Sequence, residues 1–352
     1  MGFFRRFSLL GLIALLAGLA PAAARPIEVR IVVVTAFEIG KDIGDRPGEY
    51  QAWAGVAPQV MPFPAGYRHL RYDPKRHMLL LSTGMGTNRA AVSTMALGLD
   101  PRFDLRHAYW MVAAIAGVDP KAGSVGSAAW IGDVVDTDYS YGVDPREAPA
   151  GWPTGTFPRD RAQPYQAPRG DPQYNLYALD KPLRDWAFAL TKDVALPDRD
   201  ALKTIRATYP GFPAAQTPPA VLKGAEATGQ TFWHGALLTA HAEKWVAYWT
   251  DNGEPFVMTG MEDTGVANAL ATLGRMGKAD PKRLLVLRTA SNYTMPPPGG
   301  PDAATSLTAE LKGLSAMQAS LDAAFMVGSR VVDTISGNWP LYRDTIAGHA
   351  AH

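Results

Sequence analysis

The chain has 352 residues, 47% of them hydrophobic, a formal net charge of +1 and no cysteine. That composition buries a sizeable core, in one large α/β domain more simply than in two, and the near-zero charge leaves no electrostatic footprint for nucleic acid. Beyond the N-terminus no window approaches the ~20 uninterrupted apolar residues of a membrane-spanning helix, so no helical pore or carrier is expected of the mature chain.

Met1 to Arg6 is short and basic, Leu9 to Leu19 is apolar, and Ala22-Ala23-Ala24 is a small-residue cleavage site. Together they predict a signal peptide over residues 1–24, a mature N-terminus at Arg25, and a periplasmic or secreted protein. No Cys follows the signal, which excludes a lipoprotein, and a chain without Cys fits an oxidising compartment. Val29 to Thr35 is β-branched and continuous, a buried strand. Glu38 to Glu49 is polar and glycine-rich, too full of breakers to be helix. Met78 to Ser82 reads as a strand running into the turn Thr83-Gly84-Met85-Gly86-Thr87. The backbone N–H groups of such a turn can bind anions or sugar oxygens, here ahead of a helix over Asn88–Leu99. No Gly-Lys-Ser/Thr follows, so the turn is not a P-loop, and the esterase pattern Gly-x-Ser-x-Gly is absent.

Tyr109–Ala114 and Ala129–Thr137 read as further strands. From Tyr139 to Pro219 the residues Pro, Gly, Arg and Asp dominate, with one helix over Pro182–Val194. A loop-rich region this long is functional or disordered. The aromatic residues Trp152, Tyr165, Tyr174, Tyr177 and Trp186 favour an ordered insertion packed on the domain. Thr228–Phe232 reads as a strand, Ala240–Thr250 as a helix, and Leu311–Ile335 as a helical stretch interrupted at Gly328.

The most informative segments are Pro255–Ala267 and Leu284–Tyr293. In each, a short apolar run meets a polar residue, as a buried strand does on reaching the carboxyl edge of a sheet. Between them lies a helix, so the unit is strand, Glu262, helix, strand, Asn292. Ligands of open α/β sheets sit outside the carboxyl ends of strands, and both residues should therefore face one crevice. A Glu accepts two sugar hydroxyls, and an Asn amide offers a donor and an acceptor to a purine edge. The competing reading of Glu262 is a surface acid at a helix start.

Thr259-Gly260-Met261-Glu262-Asp263-Thr264-Gly265-Val266-Ala267 resembles the Met-Glu motif of the nucleoside phosphorylase and nucleosidase superfamily, in which the Met packs against ribose and the Glu binds its hydroxyls. Arg288-Thr289-Ala290-Ser291-Asn292 is similar to the superfamily's Arg-x-x-Ser-Asp, whose last residue meets the base. The turn at Thr83–Thr87, the segment Ala113–Pro120 and Ile131-Gly132-Asp133-Val134-Val135 match further pieces in the same order. Within the superfamily the nearest likeness is the purine nucleoside permease group, whose Phe-Glu-x-Gly-x-Asp start matches Phe37 to Asp42.

The resemblance implies a three-layer α/β/α fold with a central mixed sheet, nucleoside phosphorylase-like, as a single domain over 25–352 carrying the insertion at about 139–219. It also implies a purine nucleoside ligand and no metal or cofactor. Substrate-binding residues would be Gly84, Met85, Gly86, Met261 and Glu262 for the sugar, with Phe232, Trp233 and His234 about the base. His234 and His241 are not a metal pair, having no carboxylate at ligand spacing. Asn292 stands where nucleosidases carry an Asp. An amide hydrogen-bonds but does not protonate a leaving group, which favours 6-oxopurines.

Where related phosphorylases hold phosphate with an Arg and a Ser, this chain has Val112 and Ile115, and an apolar pair cannot compensate a dianion. Hydrolysis is therefore expected, with Glu38 as general base and Asp42 second to it. Two alternatives stay open: a phosphorylase using Arg46, and a nucleoside-binding protein that assists a membrane transporter partner. The sequence leaves a homo-oligomer open as well.

Overall fold

The computed structural model of the protein describes residues 25–312 and 315–350, so the expected signal peptide lies outside the described residues. Its strands are β1 (Ile27–Glu28), β2 (Ile31–Thr35), β3 (Gln59–Met61), β4 (Leu70–Asp73), β5 (Met78–Ser82), β6 (Phe103–Asp104), β7 (Tyr109–Val118), β8 (Ala128–Asp136), β9 (Tyr141–Gly142), β10 (Thr156–Phe157), β11 (Leu176–Ala178), β12 (Val221–Thr228), β13 (Phe256–Gly260) and β14 (Leu284–Tyr293). Its α-helices are α1 (Glu49–Ala54), α2 (Thr87–Gly98), α3 (Lys181–Thr191), α4 (Asp200–Ala207), α5 (Ala236–Thr250), α6 (Asp263–Arg275), α7 (Ala303–Glu310), α8 (Met317–Gly337) and α9 (Trp339–Tyr342).

One mixed sheet of ten strands runs in the order β11-β8-β12-β13-β7-β2-β5-β4-β3, with β14 laid against both β7 and β8. β7 also meets β13, Val118 opposite Met258, so β7, β13, β12, β8 and β14 close on one another as a ring. The continuous apolar runs follow from burial on both faces. In β2 and β5, Val32, Val34, Leu79 and Leu81 enter one core, and Ile31, Val33, Met78 and Leu80 enter the other. Helices α2 and α6 cover the first core with Leu97, Val266 and Leu270, while α1, α3 and α8 cover the second with Trp53, Leu183 and Val327. The layering is thus α/β/α. Helix α6 approaches α2 closely because Gly265 lies against the Thr87 carbonyl, where any side chain would collide.

The insertion is built into this frame. β11 pairs antiparallel with β8, Tyr177 opposite Val134. Trp186 packs on the second core and Tyr165 on a smaller one around Trp245. Helix α4 was not expected from the sequence, its residues Leu202 and Ile205 joining the first core amid a Pro- and Asp-rich stretch.

The strand expected over Thr228–Phe232 lies earlier, over Val221–Thr228, where Lys223 and Gly224 mask its apolar character. Residues 230–235 therefore leave the sheet and cross its edge. Helix α5 begins at Ala236 instead of Ala240. The helix expected from Leu311 starts only at Met317, as α8, and runs unbroken through Gly328, while α7 lies ahead of the expected stretch and was not foreseen.

Candidate active site

A cavity of ≈ 300 Å³ opens beside the last residues of β2, β7 and β13, and Ala36, Glu49, Ile115, Gly260, Glu262 and Arg288 are among its walls. Phe37, Met85, Phe232, Met261 and Met317 add apolar surface. A smaller recess adjoins it, sharing Gly117, Phe232, Thr259, Gly260 and Met261 and adding Trp233, Asn292 and Thr294. Glu262 and Asn292 thus face connected spaces, as the strand-end argument requires.

Glu262 occupies the N-cap position of α6, yet its side chain does not cap that helix. Oε1 accepts the Gly86 N–H at 3.0 Å, and Oε2 accepts from Arg288 Nη2 at 2.9 Å. The carboxylate is only 4% exposed, and that exposure is to the cavity. A surface helix cap would make neither contact. The turn Gly84–Gly86 is wound with positive φ at both glycines, 86° and 97°, which L side chains seldom adopt. The Gly86 N–H expected to face a sugar oxygen is thus committed to Glu262, and neither Gly84 nor Gly86 lines the cavity, whereas Met85 does.

Glu38, expected as the base, is placed elsewhere. It is buried, but its Oε1 accepts the N–H groups of Ile39 and Gly48, at 2.8 and 2.5 Å, and it does not line the cavity. Asp42 pairs with Arg71 at 3.1 Å on the far side of the loop. Glu49, the first residue of α1, is the carboxyl group that joins Glu262 on the cavity wall. The chain reverses tightly there: a Cβ on Gly48 would lie 2.8 Å from Glu38 Cα. Glu49 Oε2 accepts the Ala36 N–H at 2.6 Å and Oε1 the Ile115 N–H at 2.8 Å. Burial, and then the negative charge of Glu262, push its pKa up to about 8, against the pull of those two N–H groups and Arg288. Perturbation of this size in a cleft marks an acid–base candidate.

At the other end, Asn292 Nδ2 donates to the Tyr293 carbonyl at 2.9 Å and Oδ1 accepts from Ser291 at 2.9 Å, leaving one amide hydrogen for the recess. Phe232, 40% exposed, stands between cavity and recess, and Trp233 closes the recess. His234 does not join them. Nε2 bonds to Ser306 Oγ at 2.9 Å, and the ring faces a separate proline-rich groove, because the chain leaves the sheet at Thr228 and turns before Gly235. His241 pairs with the Tyr165 hydroxyl at 2.5 Å, and burial lowers its pKa to about 4. Arg46 is exposed at the cavity mouth, and Glu310 and Leu311 from the end of α7 stand at the same opening. Ile115 lines the cavity, so an apolar side chain occupies the position weighed for phosphate.

Arg288 opens the Arg-Thr-Ala-Ser-Asn segment, and the sequence by itself assigns it no role. It is 1% exposed and contacts Glu262, Asp263, Glu226 and the Ile115 carbonyl. No local pattern announces Glu226, a single acid in an otherwise ordinary strand.

The sequence profile of the purine nucleoside permease (NUP) family matches residues 28–347 of this chain. A probable purine nucleoside permease of Schizosaccharomyces pombe is 28% identical over 282 residues, covering 78% of this chain and 80% of that protein. Of solved structures, the 5'-methylthioadenosine/S-adenosylhomocysteine nucleosidase from Helicobacter pylori superposes with TM-score 0.50 at 14% identity, over 86% of this chain and 98% of its own. The corresponding enzyme from S. pneumoniae gives TM-score 0.51 at 12% identity, over 88% and 99%. At those identities the likeness establishes the fold, which is nucleoside phosphorylase-like.

Proposed function

The chain belongs to the purine nucleoside permease family, and on that premise we propose that its cavity binds a purine nucleoside and splits the N-glycosidic bond with water. The observation that carries the reading is Glu49: a buried carboxyl on the cavity wall whose pKa is pushed up to about 8, beside a second buried carboxylate fixed by Arg288. Glu262 receives the ribose hydroxyls and Met261 packs against the sugar. The base lies in the cavity against Phe232 with its edge toward the recess, whose ≈ 20 Å³ is too small for a purine ring but which holds the free Asn292 amide hydrogen.

In the chemical step Glu49, when ionised, takes a proton from water. The water oxygen bonds to C1′, the C1′–N9 bond breaks, and its electron pair passes into the purine. Asn292 stabilises that developing charge by a hydrogen bond, and the purine then takes a proton from solvent. The apolar Ile115 offers nothing to a phosphate dianion, which favours water as the nucleophile.

The family name supports a second reading, in which the same pocket binds nucleoside without chemistry and serves uptake. Among the described residues no helix is long and apolar enough to cross a membrane, so this reading needs a transporter partner. Incubating purified protein with inosine, with and without phosphate, and separating the products decides the matter. Free hypoxanthine without phosphate supports hydrolysis. Free base only with phosphate means phosphorolysis through Arg46, and intact inosine with measurable binding means uptake. A periplasmic or secreted location belongs to the proposal, and N-terminal sequencing that finds Met1 intact would overturn it.

A further inference from the structure

We propose that Glu226 is a neutral carboxylic acid sharing one proton with Asp263, and that this pair positions Arg288 and, through it, the cavity carboxylate Glu262. The inference rests on the reading that Glu262 holds the sugar of a nucleoside.

Glu226 lies on β12, Asp263 opens α6 and Arg288 lies on β14; their relative exposures are 0%, 0% and 1%. Arg288 Nη2 donates both to Glu262 and to Asp263 Oδ2, and Nη1 donates to the Ile115 carbonyl at 3.1 Å. The approach of Arg288 Nε to Glu226 Oε2 is longer, 3.5 Å. Around this junction both oxygens of Glu226, Asp263 Oδ1, Arg288 Nε and Thr228 Oγ1 are buried without a hydrogen-bond partner among the described residues.

Two ionised carboxylates cannot hydrogen-bond to each other, and buried groups left unpartnered are costly. One proton resolves the arrangement, since a protonated Glu226 donates to Asp263 and keeps an oxygen for Arg288 Nε. The proton belongs on Glu226 because Asp263 has the guanidinium in direct contact. Burial and the negative charge of Asp263 raise the pKa of Glu226 well above the usual carboxylate range, in the same sense. The pair lies one backbone layer beneath the cavity floor. A Cβ on Gly260, itself on the cavity wall, would come within 2.6 Å of Asp263 Oδ2 and 2.9 Å of Glu226 Oε2.

The test compares Glu226→Leu, Glu226→Gln and Asp263→Asn in inosine affinity by calorimetry and in crystal structures. Glu226→Leu should bind inosine at least about tenfold more weakly, the cost of leaving buried polar groups unpartnered. Glu226→Gln, a neutral donor of the same shape, should restore affinity to within about threefold of the parent, whereas Asp263→Asn should be at least as damaging as Glu226→Leu. A Glu226→Gln protein as weak as Glu226→Leu would mean that Glu226 carries a charge, and the proposal falls. It falls equally if Glu226→Leu loses thermal stability alone while its affinity stays at the parental value. Should the parent bind no purine nucleoside, the functional reading fails separately and the crystal structures still decide. The 3.0 Å contact between Glu262 and Gly86 should survive in Glu226→Gln and be lost in Glu226→Leu. Its survival in Glu226→Leu overturns the positioning role.

Discussion

The two ends of the cavity are built on opposite principles. At the end proposed for the sugar, four buried carboxyl groups, Glu49, Glu226, Glu262 and Asp263, surround one guanidinium, Arg288. At the end proposed for the base, an amide, three threonines, a methionine and two aromatic rings line the recess, with no charged side chain among them. Buried charges tolerate little displacement, because each one that loses its partner is left desolvated and unpaired. Aromatic faces and a single amide hydrogen are forgiving by comparison. Under the proposed function, the contrast implies strict recognition of the sugar and permissive recognition of the base.

Glu49→Gln gives the strongest test of the charged end. Turnover should fall by about 10²–10⁴ with nucleoside affinity nearly unchanged, the usual effect of losing a general base. In the parent, only the ionised fraction of Glu49 works, so turnover should rise about tenfold per pH unit and level off near pH 8. Stability should move the other way. Between the ordinary carboxyl value of 4.5 and about 8, folded Glu49 keeps a proton that the unfolded chain has lost. Its contribution to stability therefore declines as pH rises through that window, by at most about 1.4 kcal/mol per unit. Denaturant titrations of the parent and Glu49→Gln at pH 5 and pH 8 measure it, and equal slopes would remove Glu49 from the acid–base role.

Glu262→Gln should cost about 1.5–3 kcal/mol of inosine affinity by calorimetry, the worth of a charge-assisted hydrogen bond. Asn292→Asp should lower the inosine-to-adenosine ratio of affinities or specificity constants by roughly tenfold, since a carboxylate repels O6 while an acid can donate to N7. An unchanged ratio removes Asn292 from base recognition. Phe232→Leu should be the mildest, about 1 kcal/mol from lost stacking. If it proves costlier than Glu262→Gln, the contrast between the two ends is wrong.

The strand ends were legible because their signal is local: four consecutive apolar residues at Met78–Leu81 closing on Ser82, or an apolar run closing on Met261-Glu262. The layering was implied by the resemblance, and the same runs agree with it, since a strand buried on both faces is apolar on both. What the sequence hid is contact between residues distant along the chain. Glu38 and Glu49 stand in one glycine-rich segment, and only the reversal at Gly48 turns the first into a loop brace and the second toward the cavity. The resemblance puts His234 beside the base with Phe232 and Trp233, but the strand ends at Thr228, and the chain that follows it carries His234 to a separate groove. Glu226 shows no pattern at all, as its meaning depends on Asp263 and Arg288 from two other elements.

The clasp at Gly48 has a consequence for how such proteins diversify. Glu38 accepts from Gly48, and the Glu49 N–H donates back to the Phe37 carbonyl at 3.1 Å, so the base of the loop is stitched shut independently of its tip. The tip carries Arg46 to the cavity mouth. Insertions, deletions or exchanges between Lys41 and Arg46 can therefore alter what the mouth admits without displacing Glu49, and long surface loops tolerate such changes at small entropic cost. Selection on ligand preference can act there while the buried carboxyl cluster is inherited intact.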